Sequence, residues 1–426
     1  MYQQFIQKIN FYRTHKLAKN FSYLALIEMA NYILPFITIP YIVQTIGIEK
    51  FGVIAFAYAI IAYFQLIVLF GFRLTGTKYI SQNRNDREKV SAYYWTIISI
   101  QIALLLVSLS LFSTLFLIDS IQKEWLVFVF SFGLVIGNII FPIWFFQGME
   151  DMKYIAILNV ISKSIYTLMI FIFVQTQNDY LLIPLFNVAS IIFIGFMANI
   201  MIKYKYNIHF VLPSVSRIKS VLNENWHIFL STITTNFYTT TNTVLLGFFT
   251  NYSIVGIYSI AETISGAVVK IIKIYNVTIY PHLAQYGENI PLLEKQAQKY
   301  FKIYVKVLIA MSLLTFAFSD IIIHILFGDA AKESSTILKL LAISILVEPL
   351  GGFFTSYLAI KNKYKTITKI TFITMLTNFI FVIPLIVLFQ GVGLAIARIL
   401  TESVQVFLNI KNCKEILFQS PKESAL

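Results

Sequence analysis

One cysteine, Cys413, stands in 426 residues, so no disulfide can form within the chain and no Cys and His cluster marks a metal site. Charge is scarce too. Asp, Glu, Lys and Arg make up 12% of the sequence, against roughly 25% in soluble domains. With 58% hydrophobic residues and a mean hydropathy of +0.75, that shortage excludes a soluble globular fold and points to lipid as the main solvent. There is no glycine-rich phosphate loop and no nucleotide-binding fingerprint, so neither an ATP-driven pump nor a bound cofactor is expected. Long connections are also lacking. None between apolar runs exceeds about 22 residues, which leaves no room for a catalytic domain outside the membrane, and the chain is not expected to be an enzyme.

What remains is a series of apolar runs. A helix needs roughly 20 such residues to cross a bilayer core. Twelve runs qualify, at about 20–44, 51–72, 91–118, 125–147, 154–175, 180–202, 224–249, 253–279, 301–327, 334–360, 366–389 and 391–411. The first 19 residues are basic and lack a continuous apolar core, so they do not read as a cleavable signal. The net charge of +13 fits either nucleic-acid binding or basic cytoplasmic loops, and its distribution decides. Lys and Arg cluster before span one and after spans two, four, six, eight, ten and twelve, while the opposite side holds only Lys50, Lys123, Lys332 and Lys339. Both termini are therefore expected in the cytoplasm, and no nucleic acid is needed to explain the charge.

The chain also repeats itself. Asn31-Tyr32 returns as Asn236-Phe237, and Phe51-Gly52-Val53-Ile54-Ala55-Phe56-Ala57 returns as Val255-Gly256-Ile257-Tyr258-Ser259-Ile260-Ala261. An even number of spans separates the copies, so both enter the membrane in the same direction, and the substrate path is expected at the interface of the repeats. The expected architecture is an all-α integral membrane protein with twelve transmembrane helices in two six-helix bundles related by pseudo-two-fold symmetry. Its segments are a basic cytoplasmic stretch 1–19, bundles 20–202 and 224–411, a cytoplasmic linker 203–223 and a tail 412–426.

Ionisable groups at bilayer depth are expensive unless paired or hydrated, so each is a functional candidate. Glu28 lies in span one with Pro35 and Pro40, either as an ion-coupling group or as a hydrated carboxylate beside a kink. Lys163 in span five lies at a similar depth and could pair with it. In span eight, Glu262 and Lys273 fall about 20° apart on the helical wheel, and Lys270 about 60° from Lys273. The two lysines form a candidate station for an anionic headgroup, although Lys273 could instead snorkel to the interface. Arg398 and Glu402 are spaced i,i+4 in span twelve, as a structural pair or a substrate contact. Asp320 and His324 share that spacing in span nine, as a proton-exchanging pair or two hydrated surface groups. Glu348, beside Pro349, is a further coupling candidate. Span seven is crowded with hydroxyls and amides from Ser231 to Thr243, including Asn236 and Thr240, and reads as the wall of a hydrated cavity.

The segment TIGIEKFGVIAFAYAIIAYFQLIVLFGF, starting at Thr45, and PIWFFQGMEDMKYIAILNV, with Trp144, Gln147 and Gly148, resemble polysaccharide flippases of the Wzx type. That family belongs to the superfamily of the drug-exporting MATE antiporters and the lipid II flippases. The resemblance implies translocation of undecaprenyl-pyrophosphate-linked oligosaccharide from the cytoplasmic to the outer leaflet of a bacterial inner membrane. It implies an ion gradient as the drive, and membrane lipids, a polysaccharide polymerase and a chain-length regulator as partners. It also implies that basic residues meet the anionic headgroup. Where many members carry Arg after span two, this chain has Lys78, with Arg73 at the span end as the added candidate. The alternative from the same superfamily is an exporter of small organic cations, which would favour a cavity dominated by carboxylates.

Overall fold

The computed structural model describes residues 34–414, except for the side chains of 234–239. Glu28, the basic segment 1–19 and the tail beyond 414 lie outside the described residues. Those described are helical, with no strand among them. The helices of six residues or more are α1 (Leu34–Ile46), α2 (Ile48–Leu69), α3 (Phe72–Asn83), α4 (Arg87–Thr114), α5 (Trp125–Ile140), α6 (Ile143–Gly148), α7 (Met152–Phe173), α8 (Leu182–Lys205), α9 (Val215–Phe249), α10 (Tyr252–Ala284), α11 (Ile290–Phe327), α12 (Lys332–Ile360) and α13 (Tyr364–Asn412).

Local chemistry sets the breaks. Gly47, at φ 81°, separates α1 from α2, and Phe70 and Gly71, at φ 42° and 78°, separate α2 from α3. Asp86 caps α4 by accepting from the Lys89 amide at 3.1 Å, and Asn251 caps α10 by accepting from the Ile254 amide at 3.0 Å. Each satisfies an amide that a helix start would otherwise leave unbonded. The 49-residue α13 is interrupted at Gln390, whose φ of 51° and ψ of −128° are not helical.

Among the described residues, nine helical stretches are long and apolar enough to cross a membrane. The chain is thus an all-α, multi-pass membrane protein. Helix α9 is not among the nine. Its residues from Ser231 to Thr243 are almost all hydroxyl- or amide-bearing, which keeps its hydropathy low despite its length.

The chain divides into two compact units, with the boundary between Phe237 and Tyr238. In the first unit, α6 packs on α3 through the residues of the Trp-x-x-Gln-Gly segment. The Thr77 hydroxyl donates to the Arg73 carbonyl at 2.7 Å and lies 3.3 Å from Gln147 Oε1. A Cβ added at Gly148 would stand 2.5 Å from Ile80 Cβ and 3.0 Å from the Thr77 carbonyl oxygen. Close helix approach of this kind requires glycine. Gly148→Val is therefore expected to destabilise the first unit by about 1–3 kcal/mol, the usual range for overpacking. A wild-type melting temperature for the detergent-purified variant would refute that.

The start of α9 is fixed to the same unit. Arg217 donates to the Tyr79 hydroxyl at 2.8 Å and lies over the rings of Tyr79 and Tyr93, which stack with centroids 3.8 Å apart. Thr75 donates to Asn225 Oδ1 at 2.5 Å, with both residues buried. In the second unit an apolar core joins α10, α11, α12 and the end of α13 through Tyr304, Leu308, Phe354, Tyr357 and Cys413. The single cysteine is thus a buried core side chain.

Candidate functional site

The second unit buries a charged cluster on three helices. Arg398 of α13 donates from Nε to Glu402 Oε1 at 2.9 Å, from one terminal nitrogen to Glu262 Oε1 at 3.2 Å and from the other to Glu348 Oε2 at 2.8 Å. The planar guanidinium presents its donors as a fixed fork, and here each of its three nitrogens serves a different carboxylate. Lys273 adds a second cation, donating to Glu348 Oε1 at 2.7 Å, and the Ser344 hydroxyl donates to Glu402 Oε2.

Helix periodicity explains how the cluster forms. Arg398, Thr401, Glu402 and Gln405 recur at i, i+3, i+4 and i+7, so they share one face of α13. That face meets Glu262 on α10 and Glu348 on α12. A cavity of about 110 Å³ lies among Asn242, Glu262, Glu348, Asn378, Arg398, Thr401, Glu402 and Gln405. It has room for a few waters. Side-chain exposure falls inward, from 51% at Lys273 through 22% at Glu348 and 19% at Arg398 to 11% at Glu402. Two of the lining groups, Asn242 and Asn378, are buried at 8% and 1% exposure. Their Oδ1 atoms accept no hydrogen bond from the described residues.

The structure therefore brings together five of the candidates from the sequence, Glu262, Lys273, Glu348, Arg398 and Glu402. Arg398 and Glu402 do pair along their helix, but as part of a network over three helices. Lys273 pairs with Glu348 at 2.7 Å, and Lys270 sits at an exposed position on the same helix. Asp320 and His324 do not pair with each other. Lys339 of α12 reaches Asp320 at 2.6 Å, and His324 meets Asp329 at 2.9 Å, because groups beyond their own helix face lie nearer. Asp320, His324 and Asp329 are largely exposed, and Lys339 is half-buried.

The remaining candidates lie elsewhere. Arg73 is exposed near the start of α3, Lys163 is half-buried on α7 in the first unit, and Thr240 is half-buried on α9. Asn236 falls among the side chains outside the described residues, as does Glu28. Sequence reasoning missed Asn378, Thr401, Gln405 and Ser344. The heptad-like spacing from Arg398 to Gln405 was a signal for two of them. Ser344 is one helical turn before Glu348, and Asn378 stands alone in an apolar run.

The fold is that of the transporters of the MOP superfamily. A multidrug-resistance MATE transporter of that superfamily, in its inward-facing conformation, matches with a TM-score of 0.65 at 14% identity, over 94% of this chain and 99% of that one. The lipid II flippase MurJ, in an inward closed conformation, matches with a TM-score of 0.66 at 14% identity, over 92% and 89%. Residues 17–287 match the polysaccharide biosynthesis protein family, and the chain belongs to it. A putative O-antigen transporter of Escherichia coli strain K12 is 28% identical over 91% of this chain and 95% of its own length. Another from Shigella dysenteriae is 25% identical over 93% and 100%.

Proposed function

We propose that this protein is a flippase. It carries undecaprenyl-pyrophosphate-linked oligosaccharide repeat units, of O-antigen or a related surface polysaccharide, from the cytoplasmic to the periplasmic leaflet of a bacterial inner membrane. The observation that carries this reading is the near full-length similarity to proteins named as O-antigen transporters. The chain crosses the bilayer twelve times with both termini in the cytoplasm, in two bundles, 20–202 and 224–411, linked by 203–223. It makes and breaks no covalent bond.

Alternating access suits such a cargo. The headgroup is anionic and polar and needs a hydrated path, while the lipid tail stays in hydrocarbon throughout. Arg73, Lys163 and Lys270 are the cations assigned to the headgroup, and the hydroxyls near Thr240 to its sugars. An ion gradient drives the cycle, at about 2.3 kcal/mol per charge for each 100 mV of membrane potential. A polysaccharide polymerase and a chain-length regulator receive the product. The exporter of organic cations is the second reading, and the orientation of the buried carboxylates counts against it: Glu262, Glu348 and Glu402 all face Arg398.

Deletion of the gene in its own bacterium is expected to abolish the surface polysaccharide and to trap lipid-linked repeat units in the inner leaflet. Intact polysaccharide together with new sensitivity to organic cations would overturn the flippase in favour of the exporter.

A further inference from the structure

We propose that the outward face of α11, at its N-terminal end, is a binding site for anionic phospholipid whose headgroup phosphates are held by Lys295, Lys299, Lys302 and Lys306. The site does not depend on the flippase reading. Only the assignment of that end to the cytoplasmic leaflet rests on the orientation proposed above.

The four lysines recur at i, i+4, i+7 and i+11. They fall within about 60° of one another on the helical wheel and form a row about 17 Å long. All four are exposed. The opposite face of the same turns carries Leu293, Ala297, Tyr304 and Leu308, which are buried in the core of the second unit. The row therefore points away from that core. No carboxylate answers it. Glu294 is the one acidic residue of α11 before Asp320, and it turns instead to Lys361, 3.4 Å away at the end of α12. Among the described residues none of the four lysines has an ion-pair partner. Like charges three and four apart on a helix repel, so the row carries a cost that anions lying between the lysines remove.

The same line of the helix changes character one turn further on. Ile309, Leu313 and Phe316 continue the lysine face, at 44%, 62% and 50% exposure. Helix α11 has 38 residues and is about 57 Å long, whereas a hydrocarbon core is about 30 Å thick. Part of it must leave the core at the lysine end, and the change from Ile309 to Lys306 marks where. Lys306 and Lys302 then lie in the headgroup layer, where lysine stems rest on apolar surface and the ammonium reaches the phosphates. Lys299 and Lys295 stand about 5 and 10 Å beyond Lys302, near the limit at which a charged surface acts at physiological salt. An acidic protein would have to cover a row that runs without a break into lipid-facing side chains. Phospholipids already lie beside that face, and their phosphates complement its charge.

The test is native mass spectrometry of the purified full-length protein in an uncharged detergent, titrated with phosphatidylglycerol or phosphatidylcholine of identical acyl chains. Phosphatidylglycerol is expected to bind roughly 25-fold more tightly, about fivefold for each of the two inner lysines. Lys302→Gln with Lys306→Gln should remove most of that preference. Lys295→Gln with Lys299→Gln should reduce it by about fivefold at most, because those charges stand further out. Replacing all four by arginine keeps the charge and should keep the preference. Unchanged phosphatidylcholine binding in each variant shows that the fold is intact. Lys365→Gln with Lys369→Gln, at two exposed positions near the start of α13, is the control and should leave both affinities as in the wild type. An equal loss in that control would show that net positive charge alone attracts the lipid, and would overturn the site. Displacement of the bound lipid by millimolar inorganic phosphate would overturn it in favour of a soluble anion. Equal affinity of the wild type for the two lipids would also overturn it, and would leave the row to an acidic protein surface.

Discussion

Arg398→Met is expected to destabilise the protein by roughly 3–5 kcal/mol, the penalty for removing one partner of a buried ion cluster. Methionine matches the length of the arginine stem, so little volume is lost and the effect reports charge. Glu402 would keep only the Ser344 hydroxyl, Glu262 would lose its guanidinium, and Glu348 would retain Lys273. Adding Glu402→Gln to Arg398→Met should restore part of the stability, because it removes the more enclosed of the stranded charges and the two sites are coupled. Fluorescence-detected melting in detergent measures both effects. A single variant that melts at the wild-type temperature, or a double variant less stable than the single, would show that Arg398 does not hold the cluster together.

Gly393→Ala is expected to be nearly as damaging, for a steric reason. A Cβ at this position would overlap the Leu385 carbonyl oxygen and its carbon. Those are backbone atoms, which cannot rotate away as a side chain would. The contact exists because α13 breaks at Gln390 and folds the following turn against the preceding one, with Pro384 just before. Even one added methyl must therefore open the break, and the penalty should reach or exceed the ~1–3 kcal/mol usual for overpacking. Reduced melting temperature and reduced yield of membrane-inserted protein are the measurements. Gly352→Ala, whose nearest heavy atom is Asn276 Nδ2 at 3.5 Å, is the control and should behave as wild type.

The membrane class and the helical hairpins were legible because hydropathy and periodicity are local properties, and apolar runs bounded by basic residues are hard to read otherwise. The pairing of Arg398 with Glu402 was legible for the same reason, since i,i+4 spacing puts two side chains together without knowledge of the fold. Glu262 and Glu348 could be named as embedded carboxylates but not as partners of Arg398. They lie 136 and 50 residues from it in sequence, and only helix packing closes those distances. Lys273 is a further case. Its wheel position beside Lys270 could be read from the sequence, but its partner Glu348 comes from another helix. For Asp320, the i,i+4 rule gave His324, while Lys339 on the next helix was closer. Local spacing fails where a neighbouring helix offers the opposite charge.

The order in which the chain is made bears on how the cluster can be assembled. Glu262 and Glu348 leave the ribosome before Arg398 does, so for a time both carboxylates sit in partly built helices that lack their guanidinium. Lys273 can hold Glu348 during that interval, but Glu262 must wait. A nascent chain that stops short of the last helical segment therefore leaves Glu262 without its guanidinium, and the arrival of Arg398 completes the network.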